Sequence, residues 1–151
     1  MHRNPGFAII KKRVAEKGYM TIPSNGYSMY PAIRPGDECV FKRVEERELA
    51  PGDILLFENE HGILVGHRLV RIEGAGPGRS YVCKGDTNLH PDLPVAFDSI
   101  AGKLSEISRG NGGSRRRRIS NDSRTMAIWG RTMMKAPILS VLLRKWVGRL
   151  P

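Results

Sequence analysis

Apolar residues in this chain come in short runs separated by turns rich in Gly, Pro, Asn and Asp. That rhythm predicts strands over most of the length. Tyr19–Ile22, Cys39–Phe41, Ile54–Phe57, Ile63–Ile72, Tyr81–Cys83 and Ser99–Ile107 each read as a strand. Pro23-Ser24-Asn25-Gly26 turns the chain after the first of them, and Pro31 to Arg34 suits one tight helical turn. Pro35-Gly36-Asp37 and Pro51-Gly52-Asp53 repeat one turn chemistry: Pro presets φ, Gly accepts a positive φ, and Asp bonds back to the turn. Pro91 to Pro94 reads as a bend. Before the first strand, Phe7, Ile10 and Val14 recur at helical spacing, with Pro5 suited to the first turn and Gly18 to the stop, so residues 5–17 predict a helix. Many short strands with little helix imply a mainly β fold, a coiled antiparallel sheet or partly closed barrel.

The pattern changes after residue 108. Gly110 to Ser114 and the run Arg115-Arg116-Arg117-Arg118 read as a flexible basic linker over 109–120. A basic helical tail is expected over 121–151, starting at Asn121 or Ser123 and interrupted at Pro137. Its second half places Ile138, Leu139, Leu142, Leu143, Trp146 and Leu150 on one face, with Arg144, Lys145 and Arg149 elsewhere. Such a helix either lies in a membrane interface or covers an apolar flank of the β domain, and the stripe alone does not separate the two. The domain reading is therefore 1–18 N-terminal helix, 19–108 β domain, 109–120 linker and 121–151 tail.

Charge sharpens that division. Of the net charge of +10, residues 1–102 contribute nothing, with 13 Lys/Arg against 13 Asp/Glu. Residues 103–151 hold 12 Lys/Arg against Glu106 and Asp122. A neutral body with a basic tail points the tail at an acidic surface, and an anionic membrane touched by Arg115–Arg118 and residues 123–150 is the partner expected. Nucleic acid is disfavoured, because no aromatic side chains that could stack on bases interleave with the arginines. Cys39 and Cys83 are too few and too far apart for a disulfide framework or a zinc site, and they mildly favour a reducing compartment. No run reaches the roughly 18–20 apolar residues of a membrane span. A cytoplasmic protein, peripheral at the inner membrane face, is the expectation. Neither cofactor nor metal is called for.

The chemistry-bearing residues form three stations. Ser28 sits in Gly26-Tyr27-Ser28-Met29-Tyr30-Pro31, His67 in Gly66-His67-Arg68, and Asp86 in Lys84-Gly85-Asp86. A serine hydroxyl needs a base to take its proton, a neutral imidazole suits that role, and a carboxylate holds the imidazole in the right tautomer. Ser28, His67 and Asp86 supply those types as nucleophile, base and orienting acid. Gly26 and Met29 are the candidates for backbone and groove contacts at the oxyanion side. Lys84 is an alternative base, although its neighbours fit a turn better, and His61 and His90 are further titratable groups nearby.

Gly-x-Ser-Met-x-Pro, two Gly-Asp turns, a strand-borne base and Lys-Gly-Asp-x-Asn occur together and in order over residues 19–107. In this the chain resembles the S24/S26 clan of serine peptidases, which holds the signal peptidases and the self-cleaving LexA-like repressors. The resemblance implies Ser28 as nucleophile. It also implies His67 as base and Asp86 as acid, as in the archaeal and endoplasmic-reticulum type of signal peptidase. The bacterial signal peptidases and the repressors have lysine at the base position. A serine endopeptidase would follow, binding a peptide or protein tail as an extended strand beside its own edge and preferring a small residue before the cut. Three departures are evident: Gly26 stands where signal peptidases usually have Ser, a membrane span is missing, and residues 1–18 leave no room for a DNA-binding domain. Self-cleavage is disfavoured, since the small-residue pair Ala101-Gly102 lies downstream of Ser28 within an expected strand. The alternatives are a non-catalytic peptide-binding module with a peptidase-like groove and a LexA-like self-cleaving regulator. Oligomeric state is open.

Overall fold

A computed structural model describes residues 5–110 and 116–150. Helix α1 (Pro5–Lys17) leads into strand β1 (Tyr19–Pro23), followed by β2 (Glu38–Lys42), β3 (Ile54–Glu58), β4 (Leu64–Glu73) and β5 (Ser80–Lys84). Two-residue β6 (Val95–Ala96), long β7 (Ile100–Arg109) and β8 (Arg117–Ser120) complete the strands, and helices α2 (Arg124–Lys135) and α3 (Ile138–Val147) follow. The strands form one curled antiparallel sheet in the order β1-β2-β7-β3-β4-β5-β6, with β8 paired to β7. The fold is thus mainly β, a half-barrel with a short N-terminal helix and C-terminal helices.

Register breaks at Val40/Phe41, Leu56/Phe57 and Leu69/Arg71 mark where the strands bend. Such irregularities bend a strand and increase its local twist, which helps a sheet curl. Curling buries both faces. Every residue of β3 is buried, and alternate side chains feed different clusters, as a period of two requires. Ile54 and Leu56 join Phe7, Met29, Ile33, Cys39, Phe41, Leu104, Ile107 and Met126 on one side. Leu55 and Phe57 join Leu49, Leu69, Tyr81, Cys83, Val95 and Ile100 on the other. Gly102 permits a close backbone approach within the sheet, since a Cβ there would lie 2.7 Å from the Lys42 carbonyl oxygen.

The region expected as a linker over 109–120 is partly sheet. Arg109 ends β7 and binds the buried Asp37 carboxylate, with Nη2 2.7 Å from Oδ2. Arg117–Ser120 pair with Glu106–Arg109 as β8, through contacts that include Ile119 opposite Ile107. Backbone pairing and one half-buried isoleucine hold a strand whose composition is almost wholly polar. Arg116 pairs with Glu38, and Arg118 lies 3.7 Å from Glu106, so part of the arginine run is neutralised by the body. Residues 111–115, with Arg115, lie outside the described residues.

The tail divides at Pro137 as its sequence suggests. Ser123 caps α2, its hydroxyl accepting from the Met126 N–H at 3.4 Å. Met126 and Met133 are buried against the body. Gly130 lets α2 approach closely, because a Cβ there would lie 2.9 Å from Arg68 Nη1. Among the described residues, no helix is long and apolar enough to cross a membrane.

Candidate active site

Ser28 lies on the turn between β1 and β2, just before the helical turn closed by the Ile33 N–H bonding to the Met29 carbonyl at 3.0 Å. Met29 packs its side chain into the core, which fixes the turn from below. The turn is also held from β5's side, where the Thr87 N–H donates to the Ser28 carbonyl at 2.9 Å. The Thr87 hydroxyl reaches the Tyr27 carbonyl at 3.2 Å. Gly85 makes this clamp possible, since a Cβ there would stand 2.9 Å from the Ser28 carbonyl oxygen.

His67 projects from β4, opposite Leu55 of β3, and is buried with its ring edge-on to Phe57 at 6.1 Å. Its Nε2 lies 3.1 Å from Ser28 Oγ and its Nδ1 2.7 Å from Asp92 Oδ2. With the Nδ1 proton donated to the carboxylate, Nε2 is left as acceptor for the serine hydroxyl. Ser28, His67 and Asp92 therefore form one continuous hydrogen-bonded chain.

Asp86, expected beside His67, is elsewhere. Its carboxylate accepts two bonds from Arg68, Nε to Oδ1 at 2.9 Å and Nη2 to Oδ2 at 2.8 Å. A third comes from Trp129 Nε1 at 2.8 Å. The reason is strand geometry. Neighbouring residues of a strand project to opposite sides, so His67 and Arg68 face different partners. The register pairs Arg68 with Lys84, so the chain leaving β5 delivers Asp86 to the arginine. It then loops back, and the Asp92 N–H bonds to the Cys83 carbonyl at 2.8 Å. That return sets Asp92 under His67. Asp92 sits between two prolines in His90-Pro91-Asp92-Leu93-Pro94, an acid in a stiffened bend, and this was the available sequence signal.

Other expected groups fall away from the serine. Lys84 Nζ donates to Ser140 Oγ of α3 at 2.6 Å, and burial lowers the lysine's pKa. His61 is exposed beside Glu60, and His90 is exposed on the returning loop. Gly26 borders the site, and a Cβ there would meet open space, so packing does not demand glycine. Trp129 and Ser140, which tie the tail to this region, carry no motif of their own.

A cavity of about 280 Å³ opens beside the serine. Ile22–Gly26 form one wall and Leu64–His67 the other, while Met29, Ile33, Cys39, Phe41 and Leu56 make an apolar floor. Phe41 lies under Gly66, where an added Cβ would come 3.4 Å from the ring. Both walls offer unpaired strand edge: β1 ends the sheet, and β4 pairs with β5 only from Arg68 onward. No group of three or more metal-ligating side chains occurs among the described residues. Comparison with protein families and with curated proteins finds no match to this chain.

Proposed function

We propose that this protein is a serine endopeptidase of the S24/S26 type, working through Ser28, His67 and Asp92. The observation that carries the reading is the chain from Ser28 Oγ through both imidazole nitrogens to a carboxylate, at 3.1 and 2.7 Å. Distances in this range suit proton transfer. The half-barrel and the Gly-x-Ser-Met-x-Pro turn support the family assignment. The bland alternative, a buried histidine satisfied by two polar neighbours, accounts for neither the cavity at the serine nor its unpaired strand edges.

In the proposed reaction a peptide lies extended between the two walls, bonding to strand edge with alternate side chains in the cavity. As Ser28 Oγ attacks the scissile carbonyl carbon, His67 Nε2 takes its proton. Asp92 stabilises the resulting imidazolium through Nδ1–H. The Ser28 backbone N–H is the proposed donor to the oxyanion. The tetrahedral intermediate collapses, the C–N bond breaks, and the imidazolium gives its proton to the leaving amine. Water, deprotonated by the same imidazole, then attacks the acyl-serine and regenerates the hydroxyl. Cavity size and the enclosing Phe41 favour a modest apolar side chain before the cut.

The test is labelling with a fluorophosphonate probe together with cleavage of a peptide library. Wild type should label at one site and cleave, whereas Ser28→Ala should do neither. Equal inertness of the two proteins, both folded, across pH 6–9 would leave the peptide-binding module as the better account.

A further inference from the structure

Helix α3 turns much of its apolar surface outward. Leu139, Leu143 and Val147 are half-buried toward the body, and Ser140 is buried on Lys84. Ile138, Leu142, Trp146 and Val141 are 70, 58, 48 and 40 % exposed. At 3.6 residues per turn, Lys145 falls among these outward residues, and Arg149 follows in the turn just beyond. The hydrophobic stripe of the sequence is therefore split: one edge holds the helix down, and the other faces away with Lys145 and Arg149 beside it, not on a separate face as expected from the sequence.

Scattered exposed apolar residues need no explanation, but a contiguous set on one helix does. Its charge pattern selects the partner. A second copy packed face to face would bury Lys145 and Arg149 in a seam to which residues 138–150 contribute no acidic partner. Nucleic acid would satisfy the cations and leave Ile138 and Leu142 in water. An anionic bilayer surface takes both: aliphatic side chains enter the acyl boundary, Trp146 suits the interfacial layer, and Lys145 and Arg149 reach the headgroups. The neutral body and the surplus positive charge of residues 103–151 give the attraction the same direction.

We propose that the outward face of α3 is a docking surface for anionic lipid. Its position links it to the site. The Trp146 ring lies 5.1 Å from that of Tyr30, two residues past the proposed nucleophile. At the other end, Pro137 shares a groove with Leu89 and Pro91 of the loop that carries Asp92. Docking through α3 would bring both loops of the site to the lipid surface.

The experiment is co-sedimentation with sucrose-loaded vesicles of phosphatidylcholine alone or mixed with phosphatidylglycerol. It compares wild type, Ile138→Asp/Leu142→Asp, Lys145→Gln/Arg149→Gln and Ser28→Ala. All four substituted positions are exposed, so the variants should keep the wild-type melting temperature. Wild type and Ser28→Ala should sediment equally with the anionic vesicles and little with the neutral ones. The aspartate variant should lose at least about tenfold in partitioning, and each removed cation about fivefold. Equal partitioning of wild type and both α3 variants would overturn the proposal. So would a stable dimer, or DNA binding in a gel shift, without vesicle binding. Because Ser28→Ala should bind normally, lipid binding by an inert protein would sink only the peptidase reading, and activity without lipid binding only the dock.

Discussion

At the scale of single residues, two carboxylates close together in sequence have opposite environments. Asp86 is locked by the Arg68 guanidinium and the Trp129 indole, both from elements that pack around it. Asp92 meets the imidazole on the far side of the strand. They should fail differently. Asp92→Asn should slow probe labelling and cleavage by about 10⁴-fold, the size expected when a histidine loses its orienting carboxylate. Its urea midpoint should hardly move. Asp86→Ala leaves the Arg68 charge buried without its partner and should cost about 3–5 kcal/mol in urea denaturation. If Asp86→Ala kept full stability and lost activity while Asp92→Asn stayed active, the acid would be reassigned to Asp86.

At the scale of elements, the loop from Gly85 to Asp92 works as one part. Its first turn clamps the Ser28 carbonyl, its end supports His67, and Gly85 sets the spacing. Gly85→Ala would push a methyl into the Ser28 carbonyl and the Asn88 side chain. Displacing the serine by a fraction of an ångström to an ångström should lower kcat about 100-fold, with KM changed less. Steady-state kinetics on a cleaved peptide read this directly, and a kcat equal to wild type would show that the clamp is slack. The elements themselves were mostly legible. Ile54–Phe57 announced a strand, and Phe7, Ile10 and Val14 a helix, because period and turn residues are local properties. The turn that carries Ser28 and the strand that carries His67 were legible for the same reason. The contact of Asp92 with the imidazole was not, since which carboxylate reaches His67 depends on β4–β5 register and on a return path. β8 was hidden because Ile119 is its sole apolar residue. The orientation of α3 was hidden too, because a stripe does not reveal that Ser140 will bind Lys84.

For the molecule as a whole, burial on both faces of the sheet shows in the thiols. Cys39 belongs to one core cluster and Cys83 to the other. Burial pushes each from 9.0 up to about 12, with a smaller contribution from Asp37 at Cys39 and from Asp92 at Cys83. The folded protein therefore keeps these protons at pH values where the unfolded chain releases them. Stability should be unaffected below about pH 8 and decline between roughly pH 9 and pH 12, by up to about 1.4 kcal/mol per pH unit for each thiol. Urea midpoints across that range, compared with those of Cys39→Ala/Cys83→Ala, check the slope. A slope unchanged in the double variant would assign the alkaline loss to other groups.

The buried thiols also make the protein a convenient substrate for site-directed chemistry. A cysteine installed at an exposed place such as Leu142 would ionise and react as an ordinary thiol, while Cys39 and Cys83, buried and held protonated, would react far more slowly. A maleimide dye or spin label could then be attached at one chosen position without first removing the native cysteines. The fold supplies its own protecting groups.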